Sequence, residues 1–321
     1  MVAFTFRPAV RENVSLLIGL AGASGSGKTY TALRLAKGIA GDRPFAVIDT
    51  EAGRAKHYAD AFKFDHGDLS PPFRPDAYAA AIAAADKAGY PVIVVDSMSH
   101  EWSGTGGCLD WQEEEYQRLG GRDSVKMLSW SKPKQSHKHM VQGLLQVRAH
   151  LILCFRAEEK IDMIKEDGKT KIVPKEGPGG FKGWLPICEK NLPYELTASF
   201  LFMATAPGVP VPMKLQEQHR ALFPLDKPVT EDSGRLVAAW AAGGAAQPPA
   251  GASAAAPSAA ADHITPNQAL DLEVLCKDAG VPVASFLRKA GIANLQHLPA
   301  ADYPDAVAAL KERAQQTGAR T

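Results

Sequence analysis

Three common signatures are missing from this sequence. Its 321 residues contain only four cysteines, and none are in CxxC spacing: Cys108, Cys154, Cys188 and Cys276. Scattered cysteines argue against a zinc site or a disulfide framework, and they favour a reducing compartment. Charge is also balanced, with 36 Lys and Arg against 35 Asp and Glu. The net charge therefore indicates neither a strongly basic nucleic-acid-binding protein nor an acidic protein. Any surface that binds nucleic acid must be a local basic patch.

Long apolar runs are the third missing feature. No stretch approaches the length that a membrane span requires. The first eight residues, MVAFTFRP, lack the basic stretch followed by an apolar stretch that marks a secretory signal. We therefore expect a cytoplasmic protein without a membrane partner.

What the sequence does contain is a phosphate-binding motif. Residues 22–29 read GASGSGKT and fit GxxxxGK[ST] throughout, after an apolar stretch at 15–21 and before a helical pattern at 30–37. Glycines let successive backbone N–H groups point at phosphate oxygens, and the following helix adds its positive N-terminal dipole. Lys28 is expected to reach the β- and γ-phosphates and Thr29 to hold Mg²⁺. The alternative is an ordinary Gly/Ser turn before a helix. It is disfavoured because the motif's own context, a preceding strand and a following helix, is present on both sides.

The motif predicts ATP and Mg²⁺ as cofactors. The predicted nucleotide-binding residues are consecutive: Gly22, Ala23, Ser24, Gly25, Ser26, Gly27, Lys28, Thr29 and Tyr30.

Apolar runs alternate with helical stretches up to about residue 242, which is typical of a mostly parallel sheet with crossover helices. Strands are predicted at 16–20, 45–49, 92–96, 151–155 and 199–203. Predicted helices include the one after the phosphate-binding motif and those at 76–88 and 135–147. In such sheets the ligand lies at the carboxyl ends of the strands. We expect an α/β nucleotide-binding domain at 1–242.

The rest of the chain divides by composition. Residues 243–262 are dominated by Ala, Pro, Gly and Ser, too poor in bulky side chains to form a core, and predict a disordered linker. Residues 263–321 predict a small all-helical domain. Its first helix is expected to start near Thr265-Pro266, and others are expected at 283–290 and 303–313.

Two predicted strands end in acids. Asp96 closes the run PVIVVD, a Walker B arrangement that places a carboxylate near Mg²⁺, opposite Thr29. Glu51 follows the run FAVID, and a strand beside the phosphate-binding loop can place a carboxylate next to the γ-phosphate. Glu51 is the candidate general base. A solvated loop acid is the alternative reading of this residue.

The order GASGSGKT, FAVIDTEAGRAKHYA, VIVVDS and LILCFR resembles the ATPase core of the RecA family. The resemblance implies a RecA-like P-loop fold with ATP hydrolysis, in which Lys28 binds phosphate and Glu51 is the catalytic base. By position Arg156 would be the sensor of the γ-phosphate. The family usually has Gln or another polar residue there, so a trans-acting arginine finger and an ion pair with Glu158 are alternatives.

More narrowly, residues 12–242 are similar to the RecA-like AAA-type ATPases that bacteriophages encode alongside single-strand annealing proteins, the Sak-type group. The tail at 264–311 is similar to a helical module at the C-termini of phage recombination proteins. This implies action on single-stranded DNA in recombination or replication, assembly into a ring or filament, and docking of an annealing or single-strand binding protein on the tail. Arg54, Arg156 or Lys182 would then complete a neighbour's site.

In RecA-like proteins the loops after the Walker B strand and after the sensor strand line the DNA path, here about 99–122 and 158–182. The second loop predicts a β-hairpin at 160–173 around an Asp-Gly turn. Cations and aromatic rings suit phosphates and bases. The candidate DNA-binding residues are Lys169, Lys171, Phe181, Lys182 and Trp184. The alternative is a solvated hairpin whose two aromatic rings pack on the domain.

Two other readings of the chain remain. One is a regulatory P-loop protein whose nucleotide state controls docking of a partner protein through the helical tail, without DNA. The other is a P-loop kinase, which the lack of a lid-like Arg cluster after Walker B disfavours. His137 and His139 lie two residues apart on a predicted helix and point in different directions, so no metal site is expected there.

Overall fold

The computed structural model describes residues 6, 8–11, 14–166, 169–176, 183–243, 264, 272, 275–276, 279–292 and 294–318. The chain divides into two compact units, Met1–Pro249 and Ala250–Thr321. Apart from Gly243, the linker predicted at 243–262 lies outside the described residues, and so does the helix start predicted at 265–266.

The first unit is built on a mostly parallel sheet. Its strands, in chain order, are β1 (Leu17–Gly22), β2 (Phe45–Asp49), β3 (Phe64–Asp68), β4 (Val92–Asp96), β5 (His150–Glu159), β6 (Ile161–Glu166), β7 (Lys169–Pro174), β8 (Trp184–Pro186), β9 (Ala198–Phe202) and β10 (Pro210–Lys214). The order across the sheet is β10-β9-β1-β5-β4-β2-β3. All neighbours are parallel except β10, which is antiparallel to β9. Strand β8 runs antiparallel to the end of β5, and β6 and β7 form a separate hairpin.

Helices cover both faces of this sheet. They are α1 (Lys28–Ala40), α2 (Pro75–Lys87), α3 (Ser99–Ser103), α4 (Cys108–Arg118), α5 (Ser131–Leu144), α6 (Leu192–Glu195), α7 (Glu217–Arg220) and α8 (Glu231–Ala241). Short 3-10 helices lie at Arg54–Tyr58, Asp123–Val125 and Leu128–Trp130. This is the α/β architecture of a RecA-like P-loop fold: the alternating apolar runs predict its mostly parallel sheet, and the resemblance to the RecA core implies the fold.

Alternate residues of each central strand enter two separate cores. In β4, Val94 packs on one side with α1 and α8, whereas Val95 packs on the other side with α2 and α5. Because both faces of the strand are buried, its sequence is a continuous apolar run and does not alternate. Because the central strands are parallel, the polar residues that follow them lie at one edge of the sheet.

Helix α8 holds the P-loop helix α1 in place through a close backbone contact. A Cβ added at Gly38 would lie 2.0 Å from the carbonyl oxygen of Glu231. The Arg34 guanidinium donates to both carboxylate oxygens of Glu231, and the shortest of these bonds is 2.7 Å. Glycine therefore lets the two helices approach more closely than a side chain would permit.

Several features of the sheet region differ from the sequence-based expectations; strands β8 and β10 were not predicted, and α5 starts four residues before the predicted position 135. The segment 99–122, expected as a loop, contains helices α3 and α4. Strand β5 continues four residues past the predicted end at 155, because β8 pairs with its extension. Edge strand β3 was not predicted, since its sequence FDHGD is polar and mostly exposed and so lacks the apolar signal of a buried strand.

The second unit contains α9 (Val283–Ala290), α10 (Tyr303–Gly318) and 3-10 helices at Leu295–His297 and Ala300–Asp302. Its small core includes Leu272, Cys276, Leu298 and Leu310. Helix α9 has the predicted bounds, and α10 extends beyond the predicted end at 313. Within the described residues of either unit, helices that combine the length and apolar character needed to cross a membrane are absent.

Candidate functional site

The loop between β1 and α1 has the backbone that its glycines permit. Gly27 immediately precedes α1 with φ of 83°, in the left-handed region where a side chain would be strained. The Lys28 side chain folds back over the loop, and its Nζ donates to the carbonyl oxygen of Ala23 at 2.8 Å. Burial lowers the pKa of Lys28 below its usual value. The ammonium group is therefore held at the centre of a loop shaped to bind an anion.

Thr29 and Asp96 meet although 67 residues separate them. The Thr29 hydroxyl donates to Oδ2 of Asp96 at 2.5 Å. Asp96 is only 8% exposed, and burial raises the pKa of its carboxyl group to about 6. A hydroxyl and a carboxylate are oxygen ligands of the kind that Mg²⁺ prefers. The pair therefore has the chemistry of a magnesium site.

Two guanidinium groups hold the Glu51 carboxylate. Arg156 donates to Oε1 through Nη2 at 2.7 Å and Nε at 3.1 Å, and Arg54 donates to Oε2 at 2.8 Å. Burial alone would raise the pKa of Glu51, but these hydrogen bonds outweigh it and the pKa falls below its usual value. Glu158, the alternative partner of Arg156, pairs instead with Lys160 at 3.0 Å. Glu51 is thus an ionised, largely buried group, unlike a solvated loop acid.

The loop that carries Glu51 and Arg54 is wound around Asp49. One oxygen of the Asp49 carboxylate accepts from the Glu51 backbone N–H at 2.6 Å, and the other accepts from the Ala55 N–H at 2.9 Å. His66, on the edge strand β3, contacts the second oxygen at 3.2 Å. Sequence reasoning missed this positioning role. The only signal for it was an acid two residues before the candidate base.

Short polar side chains join the ends of the three strands that carry these groups. The Thr50 N–H donates to the carbonyl oxygen of Asp96 at 2.8 Å, and the Ser97 N–H donates to Thr50 Oγ1 at 2.8 Å. The Ser99 hydroxyl accepts from the Arg156 N–H at 2.9 Å. The ends of β2, β4 and β5 are therefore fixed relative to one another.

The phosphate-binding loop and the charged side chains at the strand ends face one cavity of about 720 Å³. Of the P-loop residues, Gly22, Ala23, Ser24, Gly25, Gly27, Lys28 and Thr29 line it. Glu51, Asp96 and Arg156 line it as well, and so do Arg54, Tyr58, Ala157, Glu158, Glu159, Trp184 and Ile187. This volume lies within the range of small-molecule and cofactor sites, about 300–1,000 Å³.

Two of the predicted nucleotide-binding residues, Ser26 and Tyr30, are not among the described residues that line this cavity. Ser26 is fully buried and donates through its hydroxyl to the Ala23 carbonyl at 2.8 Å, so it shapes the loop from beneath. Tyr30 is 46% exposed and packs its ring against Tyr58 and Phe62.

The predicted DNA-binding residues are only partly described. Phe181 and Lys182 lie outside the described residues, and Lys169 is described only through its backbone in β7. Lys171 is exposed on β7. Trp184 lines the cavity and packs against the core beside α2 and α5, the packing that the alternative reading of this aromatic ring expected.

A family model described as an AAA domain matches residues 15–185, more than half of the chain. The chain belongs to the AAA-domain family. The matched span includes the P-loop, Glu51, Asp96 and Arg156, so the family's segment holds all the described lining residues of the cavity in this AAA-domain protein except Ile187. No curated protein matches the chain.

The residues of the cavity fit the nucleotide and metal that an AAA-type P-loop ATPase uses. The loop amides and Lys28 suit phosphate oxygens, and Thr29 with Asp96 supplies hard oxygen ligands. Burial raises the pKa of Asp96 and makes its charge costly, and a bound cation would offset that cost.

Proposed function

We propose that this AAA-domain protein hydrolyses ATP with Mg²⁺ and acts on single-stranded DNA during phage recombination or replication. The observation that supports hydrolysis is the meeting of Lys28, Thr29, Glu51, Asp96 and Arg156 around one cavity. Phosphate binding alone requires the loop and its lysine. Hydrolysis also requires a second carboxylate as a base, and Glu51 supplies it in the same cavity as Thr29 and Asp96.

Each residue has a separate task in this proposal. Lys28 and the loop amides bind phosphate, and Thr29 with Asp96 holds the Mg²⁺ that neutralises its charge. Glu51 orients the attacking water and accepts its proton. Because Arg156 and Arg54 engage both oxygens of Glu51, one of these hydrogen bonds has to break before the carboxylate can serve as a base. The phosphate oxygens of bound ATP compete with Glu51 for Arg156, and this competition frees one carboxylate oxygen.

The case for DNA rests on the connection between the cavity and the β6–β7 hairpin. Arg156 lies on β5, whose last residues line the cavity, and the hairpin begins two residues after this strand ends. A change at Arg156 on nucleotide binding is therefore transmitted along one strand to the hairpin. Lys171 is exposed on the hairpin, where it can contact phosphates.

A second function is favoured by the hairpin's own surface. Lys160 pairs with Glu158 at 3.0 Å and Lys175 pairs with Asp162 at 3.5 Å, so these cations are partly neutralised within the segment. Apolar side chains are exposed beside them: Ile161, Met163, Ile164 and Ile172. Such a surface suits a protein partner. A nucleotide-controlled docking protein that acts without DNA is thus the alternative, with the hairpin adding to the helical tail as a docking element.

The deciding experiment is ATP turnover with and without a single-stranded oligonucleotide, together with binding measured at several salt concentrations. We expect turnover to rise several-fold and binding to weaken as salt increases. Lys171→Glu should weaken binding and lower the salt dependence by about one phosphate contact. Lys87→Glu, on the exposed end of α2, is the matched control.

Unchanged turnover together with no salt-sensitive binding would refute the DNA part and favour the docking alternative.

Sizing the protein with and without ATP tests the proposed ring or filament. A monomer under both conditions would contradict self-association. Deleting residues 263–321 should leave ATP turnover intact while reducing recruitment of an annealing or single-strand binding protein, and equal recruitment would exclude that role of the tail.

A further inference from the structure

A second chemically distinctive cluster lies behind the Walker B strand, outside the nucleotide cavity. It joins three helices: Glu101 comes from α3, Cys108 begins α4, and His137 lies on α5. All three residues are buried, with exposed fractions of 1%, 0% and 7%. One carboxylate oxygen, the thiol sulfur and one imidazole nitrogen lie within 4.8 Å of one another.

The hydrogen bonds of this cluster are unevenly distributed. Nδ1 of His137 lies 2.9 Å from Oε1 of Glu101, and the Cys108 thiol donates to the same oxygen at 3.2 Å. The other oxygen, Oε2, is buried and accepts no hydrogen bond from the described part of the chain. A buried carboxylate oxygen left unsatisfied costs free energy, on the order of 1–3 kcal/mol or more. Two polar groups therefore converge on one oxygen while its neighbour lacks a partner.

We propose that Glu101, Cys108 and His137 form a binding site for a single Zn²⁺ ion. Thiolate, imidazole and carboxylate are the three ligand types that zinc takes in proteins, and a water molecule completes the tetrahedron. The two oxygens of Glu101 lie too close together to fill separate tetrahedral positions, so they share one, and the metal thereby also satisfies the unpartnered Oε2. Mg²⁺ prefers oxygen ligands only, and the thiol therefore separates this site from the one at Thr29 and Asp96.

The separations between the ligand atoms are close to those that zinc requires. Tetrahedral zinc, with bonds of about 2.0–2.3 Å, places neighbouring ligand atoms about 3.3–3.6 Å apart. The present separations from Oε1 are 2.9 Å to the imidazole nitrogen and 3.2 Å to the sulfur, so these two separations have to widen by only a few tenths of an ångström. His137, the most exposed of the three residues, also lines a surface cavity of about 560 Å³.

Binding replaces hydrogen bonds with metal bonds, and its balance is simple. The Zn–S bond forms as the S–H bond of Cys108 breaks, and the thiol proton passes to solvent. The imidazole coordinates through its Nδ1 lone pair, so the neutral ring carries its single proton on Nε2 in the bound state. The ion then joins α3, α4 and α5, and α3 starts three residues after Asp96. The ion would thus stabilise the packing of these three helices next to the Walker B strand.

The test uses the full-length protein, stripped with a chelator and kept in excess Mg²⁺ so that oxygen-only sites are filled. Zn²⁺ titration should give about one tightly bound equivalent per chain and raise the unfolding temperature. Co²⁺ in place of Zn²⁺ should give a thiolate-to-metal charge-transfer absorption. Cys108→Ser should abolish that absorption, and His137→Gln should weaken Zn²⁺ binding at least tenfold.

Two matched controls accompany these variants. His139→Gln alters an exposed histidine on the same helix, and Cys276→Ser alters a thiol of the second unit; both should bind Zn²⁺ as the unaltered chain does. Should Cys108→Ser fail to fold, the unaltered protein still decides the matter. Absence of the cobalt-thiolate absorption in that protein, or its loss in Cys276→Ser rather than Cys108→Ser, would overturn the proposal.

Discussion

Replacing Asp96 by Asn should stabilise the nucleotide-free protein while removing its activity. The Asp96 carboxylate is 8% exposed, and burial raises its pKa from 3.8 to about 6. Above pH 6 the folded protein therefore carries a buried charge at a cost. Asn keeps an acceptor for the Thr29 hydroxyl and carries no charge, so Asp96→Asn removes that cost.

The magnitude follows from the shift in pKa. A shift of about two units corresponds to about 3 kcal/mol in the free energy of unfolding. For a unit of this size that gain raises the unfolding temperature by roughly 6–12 °C. Its pH dependence has a definite sign. Because the folded-state pKa lies above the unfolded one, the cost is absent below pH 3.8, grows as pH rises, and is complete above about pH 6.

Thermal unfolding of both proteins at pH 4.5 and pH 8, with and without Mg²⁺ and ADP, measures the effect. The variant should be more stable by about 3 kcal/mol at pH 8 and by only about 1 kcal/mol at pH 4.5, and it should no longer be stabilised by Mg²⁺. Asp60→Asn, at an exposed position, is the control and should change stability by less than about 0.5 kcal/mol. A variant less stable than the unaltered chain at pH 8, or a difference independent of pH, would refute the reasoning.

Three further outcomes are expected. Arg156→Ala should lower the rate of ATP hydrolysis about 10²-fold without loss of folding, because its guanidinium lines the phosphate cavity; an unchanged rate in a steady-state assay would exclude that role. Gly38→Ala should destabilise the protein by about 1–3 kcal/mol in urea unfolding, because the added Cβ would lie 2.0 Å from a carbonyl oxygen of α8, whereas Gly143→Ala, with open space around it, should be neutral or stabilising. Burial lowers the pKa of His150 to about 4, so stability should fall by about 2–3 kcal/mol as pH drops from 6.5 to 4; His150→Gln should remove most of that slope, and an equal slope would contradict the assignment.

The sequence was most informative where backbone chemistry and burial act locally. The P-loop requires glycine at positive φ, and strands buried on both faces are continuous apolar runs, so β2 and β4 have the predicted bounds. Acids placed directly after such strands indicated Glu51 and Asp96, because the carboxyl ends of parallel strands meet at one edge. These inferences need only neighbouring residues and the period of a strand.

Contacts between distant segments could not be predicted in this way. The pairing of Arg156 with Glu51 spans 105 residues, and the choice between Glu51 and Glu158 depends on the direction of each side chain at the end of β5. The cluster of Glu101, Cys108 and His137 depends on how α3, α4 and α5 pack together. Edge strand β3 lacks an apolar pattern because water covers most of it.

The most direct test of the central claim is single-turnover ATP hydrolysis by Glu51→Gln, with nucleotide affinity measured on the same sample. Gln keeps the size of the side chain but cannot accept the proton of the attacking water. ATP should bind within a few-fold of the unaltered affinity while hydrolysis slows by at least about 10²-fold. Hydrolysis at the original rate with normal ATP binding would contradict Glu51 as the base and with it the proposed hydrolytic site.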